Sequence, residues 1–164
     1  MNLHGEPMTK NLLCIALCGA ALLAGCTENE ANEKAEDGPP AIAFLTPYGP
    51  PKNPFSPAVQ VGDMLYLAGQ IGTDSTGALV AGGIEPEAHQ TLKNIADVLA
   101  KTGSSMDRVV KCTAFLADMK EWPALNAIYR TYFPKNFPAR SALGATGLAL
   151  NARVEIECIA VVAR

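Results

Sequence analysis

Arg140 is the only ionisable side chain from Phe137 to Ala152, and it stands in Phe137-Pro138-Ala139-Arg140-Ser141 among small and apolar residues. A guanidinium is a permanent cation whose planar fork matches a carboxylate through two parallel hydrogen bonds, so a half-buried arginine wants an anion. The other reading is an arginine that stretches its head to solvent beside a turn. Fourteen residues on, Val154-Glu155-Ile156-Glu157-Cys158-Ile159-Ala160-Val161 alternates with period two. In a strand, Val154, Ile156, Cys158 and Ala160 share one face, and Glu155, Glu157, Ile159 and Val161 the other. The second face begins charged and turns apolar, so it is partly covered, and a carboxylate at such an edge is suited to moving protons. Two solvated glutamates on an exposed face are the alternative. Two other residues are weaker candidates. Asn126 either serves a site or faces water, and His89, among Glu85, Glu87 and Gln90, reads as solvated.

These residues need a frame. Residues 41–57, rich in proline and glycine, read as an irregular extended lead-in. Ala58 to Val61 and Met64 to Ile71 read as two strands around the turn Gly62-Asp63, and Ala78-Leu79-Val80 as a short strand. Pro86 suits a first helical turn, and Ala88, Leu92, Ile95 and Leu99 recur at helical spacing until Gly103. Arg108 to Leu116 is a β-rich run. Trp122, Leu125, Tyr129 and Tyr132 form a second helical stripe stopped by Pro134, and Ser141 to Leu148 and Val154 to Val162 give the last strands. The order ββ(β)αβαββ predicts an α+β fold, one sheet with two helices on one face. The other face is left without helices, and if apolar it must meet another subunit.

The start of the chain reads as an export signal. Lys10 supplies a cation, and Leu12 to Leu23 an apolar run shorter than the ~20 residues a membrane-spanning helix needs. The run ends Leu23-Ala24-Gly25-Cys26, which resembles a lipobox, with Cys26 diacylated as the mature N-terminus. Met8 is a better signal start than Met1, since Glu6 sits awkwardly in a cationic region. Thr27, where an aspartate often marks inner-membrane retention, leans toward the outer membrane. Residues 1–26 are therefore read as a lipoprotein signal, 27–40 as a flexible acidic tether and 41–164 as one domain. Of the formal charge of −3, the tether supplies −4 (five acids against Lys34) and residues 1–26 cancel, which leaves the remainder near +1. A near-neutral domain has no electrostatic footprint for nucleic acid. Of five cysteines only Cys112 and Cys158 remain in the domain. An oxidising compartment permits a disulfide between them, but their apolar strand patterns favour buried thiols. No Cys/His spacing suggests zinc.

The motifs Asn53-Pro54-Phe55-Ser56-Pro57-Ala58-Val59, Val61-Gly62-Asp63, Ala68-Gly69-Gln70-Ile71, Val110-Lys111, Asp118-Met119, Asn126-Ala127-Ile128-Tyr129, Phe137 to Ser141 and Val154 to Ala160 occur in order. Together they make the chain from about Pro54 onward similar to the YjgF/RidA family. The resemblance implies a chorismate-mutase-like α+β fold and a homotrimer with ligand clefts between subunits. It also implies hydrolysis of reactive enamines and imines, such as 2-aminoacrylate, to 2-keto acids and ammonia, without metal or organic cofactor. The family's carboxylate-binding arginine falls on Arg140, its proton-handling glutamate on Glu155, its cleft asparagine on Asn126, and its pocket-lining backbone on Gly69.

Three positions depart from the family pattern. Phe55 stands for a tyrosine, Ala68 for a serine and Ala142 for a cysteine, so the cleft lined by Phe55 and Ala142 is expected to be more apolar and to suit a bulkier substrate or slower hydrolysis. The first functional expectation is a lipid-anchored imine deaminase with Arg140 and Glu155 as its catalytic pair. The second is a non-catalytic trimer that binds a small carboxylate or a client protein at the cell envelope. A ribonuclease reading, attached to some family names, is disfavoured by charge and by the lack of a basic aromatic stripe.

Overall fold

A computed structural model of the protein describes residues 38–163; the expected lipoprotein signal, Cys26 and the expected tether through Asp37 lie outside the described residues. Seven strands form one mixed sheet: β1 (Ile42–Leu45), β2 (Ala58–Val61), β3 (Met64–Leu67), β4 (Gln70–Ile71), β5 (Val109–Leu116), β6 (Ala139–Gly144) and β7 (Val154–Val161). Helix α1 (Ile84–Lys101) lies between β4 and β5 in sequence, and α2 (Trp122–Tyr132) between β5 and β6. The spatial order is β1-β2-β3-β7-β5-β6, with β4 also paired to β7. Only β5 and β6 run parallel, and they are the pair joined through a helix, as a parallel crossover requires.

The last strand in sequence is therefore central. Its even-numbered residues Val154, Ile156, Cys158 and Ala160 are buried to 2% exposure or less under α1 and α2. The odd-numbered residues are half-buried or exposed, as the period-two reading required. In α1, Ala88, Leu92, Ile95 and Leu99 are fully buried as their spacing predicted. The helix begins two residues before Pro86, with Glu85 and Glu87 in its first turn and Lys101 in its last, each sign opposing the helix dipole. Gly103 ends it at φ 81°, a conformation glycine takes without steric cost. In α2 the buried set is Leu125, Ile128 and Tyr129, whereas Trp122 stays 43% exposed. The inward stripe follows the i, i+3, i+4 pattern from Leu125, and Trp122 opens the helix.

Four expectations are corrected. The lead-in contains a strand: Ile42–Leu45 pairs with β2, Ile42 opposite Val61 and Leu45 opposite Ala58, because four apolar residues free of glycine and proline lie between its proline-rich flanks. The run from Met64 to Ile71 breaks at Ala68-Gly69 into β3 and β4. Ala78 to Val80 forms a single bridge, Thr73 to Leu79, and no strand. The sixth strand starts at Ala139 and ends at Gly144, earlier than the Ser141 to Leu148 expected, since its partners on β5, Lys111 to Leu116, end there.

Cys112 and Cys158 are also corrected. They are not separate thiols: directly opposite on β5 and β7, with Cα atoms 4.1 Å apart, they form a disulfide. The face of the sheet away from the helices is open. Registers place Phe44, Val59, Tyr66 and Ile159 in one row across it, with Phe44 71% and Tyr66 44% exposed.

Candidate functional site

Arg140 sits on β6 beside Cys112 of β5, on the side of the sheet that the helices cover. Two groups hold its guanidinium. Its Nη2 donates to Asn126 Oδ1 on α2, and its Cζ lies 4.5 Å over the Tyr129 ring, one helical turn on from Asn126. Tyr129 is in turn braced by Phe133, with ring centroids 4.6 Å apart. Burial pushes the Tyr129 hydroxyl up to about 12 against the opposing pull of Arg140, so the ring beneath the cation stays neutral. That hydroxyl is buried and has no hydrogen-bond partner among the described residues. Arg140 likewise has no ion-pair partner among them. With Asn126, Tyr129, Arg130, Phe137 and Pro138 it lines a cavity of about 290 Å³. A guanidinium held on one edge and one face, with N–H groups left over and no ion-pair partner among the described residues, can take an anion.

Glu155 sits on β7 opposite Phe115 of β5 and Ile71 of β4. Its carboxylate lies against the backbone of Gly69: a Cβ there would overlap Oε1 and stand 2.9 Å from Cδ. The break between β3 and β4 thus makes room for the acid. Burial first, and repulsion from Glu157 second, raise the Glu155 carboxyl above its ordinary value. It lines a cavity of about 670 Å³ with Tyr48, Phe55, Gly69, Ile71 and Leu150. Helix α1 fixes this neighbourhood from behind. Asn94 Nδ2 donates to the carbonyls of Ile71 (3.0 Å) and Thr73 (2.9 Å). The buried Glu87 accepts from the Arg153 backbone N–H at 2.8 Å, two residues before Glu155.

The residues singled out in the sequence therefore fall into two groups. Arg140 and Asn126 meet on the helix side of the sheet; Phe55, Gly69 and Glu155 meet at one cavity on the other. Ala142, two residues along β6 from Arg140, is half-buried against the core. Arg140 and Glu155 do not meet within one chain. The alternation makes this plain, because Arg140 shares a row with Cys112 and Cys158, while Glu155 points the opposite way from Cys158 along β7. Of the other candidates, His89 bonds Tyr132 at the surface, Nδ1 to hydroxyl 3.1 Å, and Glu157 is exposed.

Tyr129 was readable as a helix-stripe residue but not as the platform for Arg140. The signal lay in its spacing of three from Asn126, which puts both on one helix face. Leu150 carried no signal of its own.

The model of the family described as Endoribonuclease L-PSP matches residues 48–162. The chain belongs to this family, the YjgF/RidA family. Relatives include the 2-iminobutanoate/2-iminopropanoate deaminase of Mus musculus, 48% identical over 109 residues, which are 66% of this chain and 81% of that one. Among solved structures, a putative endoribonuclease L-PSP from Entamoeba histolytica superposes with a TM-score of 0.69 at 38% identity, over 74% of this chain and all of that one. The YjgF/RidA relative TdcF of E. coli, solved with bound serine, gives a TM-score of 0.66 at 26% identity, over 73% of this chain and 98% of that one.

Proposed function

We propose that this YjgF/RidA protein hydrolyses 2-imino acids and their enamine tautomers to 2-keto acids and ammonia, at sites formed between copies of the chain. The observation that carries the reading is the division of the machinery: an anion-ready guanidinium on one face and a proton-handling acid on the other, each at an open cavity. A homotrimer that sets the Arg140 side of one copy against the Glu155 side of the next completes each site. The open sheet face, with apolar Phe44 and Tyr66 exposed, supports burial against another copy. The names of the deaminase relatives support the reaction.

The chemistry follows from the groups. Arg140 takes the substrate carboxylate through two N–H bonds, which fixes the imine carbon near Glu155 and replaces a bimolecular encounter with a positioned one. Water adds to the C=N carbon while Glu155, as carboxylate, takes its proton. Glu155 then returns that proton to nitrogen, which gives a carbinolamine; it next takes the new hydroxyl's proton and passes it to nitrogen as the C–N bond breaks, so ammonia leaves as C=O forms. A carboxyl raised above its ordinary value is better placed to hold a proton between these steps.

Export and lipid anchoring through Cys26 are part of the proposal. The Cys112–Cys158 disulfide supports them, because such bonds persist in oxidising compartments. Cys26→Ser is expected to move the protein from the membrane fraction to the soluble envelope fraction. Nuclease action is not proposed: the domain carries a charge near +1, without the excess of basic residues that nucleic-acid binding draws on. Non-catalytic carboxylate binding is the second reading, favoured by Ala142 and Ala68, which bring no polar group to either cavity.

The test generates an imino acid in situ with an amino-acid oxidase and follows keto acid release. The purified protein is expected to accelerate release, and Arg140→Ala to lose most of that acceleration. Tight keto acid binding without acceleration would favour the second reading.

A further inference from the structure

Leu150 is held where leucine seldom sits. Its backbone is left-handed, φ 56° and ψ 20°, and Asn151 follows at φ 58°. Asparagine tolerates this region; for leucine the Cβ crowds the following carbonyl. The turn is fixed from both ends. Asn151 N–H donates to Leu148 O at 3.1 Å and Ala152 N–H to Ala149 O at 3.0 Å, Ala152 is 1% exposed, and Glu87 anchors the next residue. Yet the strained leucine adds nothing to the core, since it is 62% exposed. It lines the cavity of Glu155 together with Phe55, itself 54% exposed, and Ile71. Two large apolar side chains open to one acid-bearing cavity, one of them on an over-determined strained turn, mark a binding surface.

We infer that Leu150 and Phe55 form the side-chain subsite of the imine site, and that it selects 2-imino acids bearing a large apolar side chain. This rests on the deaminase reading. With the substrate carboxylate on Arg140 and the imine carbon at Glu155, the side chain is left to occupy the remaining space. The apolar walls that Leu150, Phe55 and Ile71 offer to this cavity match a large apolar side chain better than a methyl or ethyl group. Each methylene placed against apolar walls adds to transition-state binding, so discrimination of roughly 10-fold or more is expected between a four-carbon and a one-carbon side chain.

The experiment compares kcat/KM for imino acids generated in situ from leucine, phenylalanine and alanine. The wild-type protein is expected to favour the leucine- and phenylalanine-derived substrates by about 10-fold or more over the alanine-derived one. Leu150→Gly, which the left-handed backbone accepts without strain, is expected to keep or raise Tm while this ratio falls toward one; Phe55→Ala should lower it independently. Preference for the alanine-derived substrate, or an unchanged ratio in Leu150→Gly, overturns the subsite while leaving the deaminase reading in place. Hydrolysis of none of the three overturns both.

Discussion

The carboxylate of Glu155 occupies the space that a Cβ on residue 69 would need. Glycine at this position is thus a requirement of the acid's placement, since the overlapping atom is the end of a movable side chain and not a wall of the core. Gly69→Ala is expected to leave thermal stability within about 1 kcal/mol of wild type while turning Glu155 aside and lowering kcat at least ~10-fold. A melt and a turnover assay on the same preparation check the contrast.

Glu155 itself links activity to pH. A carboxyl whose value is raised in the folded protein binds its proton more tightly folded than unfolded. Stability is then fully present below the unfolded value and is lost as pH rises through the raised folded value. Glu155→Gln removes this handicap. At neutral pH its Tm is expected to exceed that of wild type, with the difference vanishing as pH falls below the ordinary carboxylate range. Hydrolysis should fall roughly 10²- to 10⁴-fold.

Tyr129 acts through its ring. Tyr129→Phe keeps the face beneath Arg140 and removes a buried hydroxyl that has no partner among the described residues, so kcat/KM should stay near wild type and stability hold or rise. Tyr129→Leu loses the platform, and KM for the imino acid is expected to rise roughly 3- to 30-fold with a smaller change in kcat. Steady-state kinetics on both variants separate the ring from the hydroxyl.

The disulfide joins the two central strands across a separation of 46 residues. Closing a loop of that length restricts the unfolded chain by about 4 kcal/mol in the chain-entropy account. Reduction, or the double change Cys112→Ala and Cys158→Ala, is expected to lower Tm by on the order of 10 °C. Thiol titration of the denatured, unreduced domain should find neither cysteine free.

Much of this was legible in the sequence because a period of two or 3.6 survives translation into structure. Val154 to Val161 fixed which side of its strand faces the helices, and Ala88 to Leu99 fixed the buried stripe of α1. What escaped is relational. The Cys112–Cys158 bond depends on the register of β5 against β7, and alternation within each strand is silent on that. For the same reason, no spacing told that Arg140 and Glu155 face opposite ways. Leu150 was hidden because a left-handed turn normally advertises itself with glycine, and here it does not. The short strand at Ile42 was masked by Pro39, Pro40 and Pro47, which made the whole lead-in look irregular.

A working site that takes Arg140 from one copy and Glu155 from another can be rebuilt by mixing subunits. Arg140→Ala and Glu155→Gln are each expected to be nearly inactive alone. Dissociated, mixed in equal amounts and reassembled, they should regain activity, because about one site in four then pairs an intact Arg140 with an intact Glu155 under random assortment around a closed ring. Recovery to about a quarter of wild-type activity is the predicted result. A mixture no more active than its parents, in an assembly shown to have exchanged subunits, would mean that Arg140 and Glu155 do not act together across the interface.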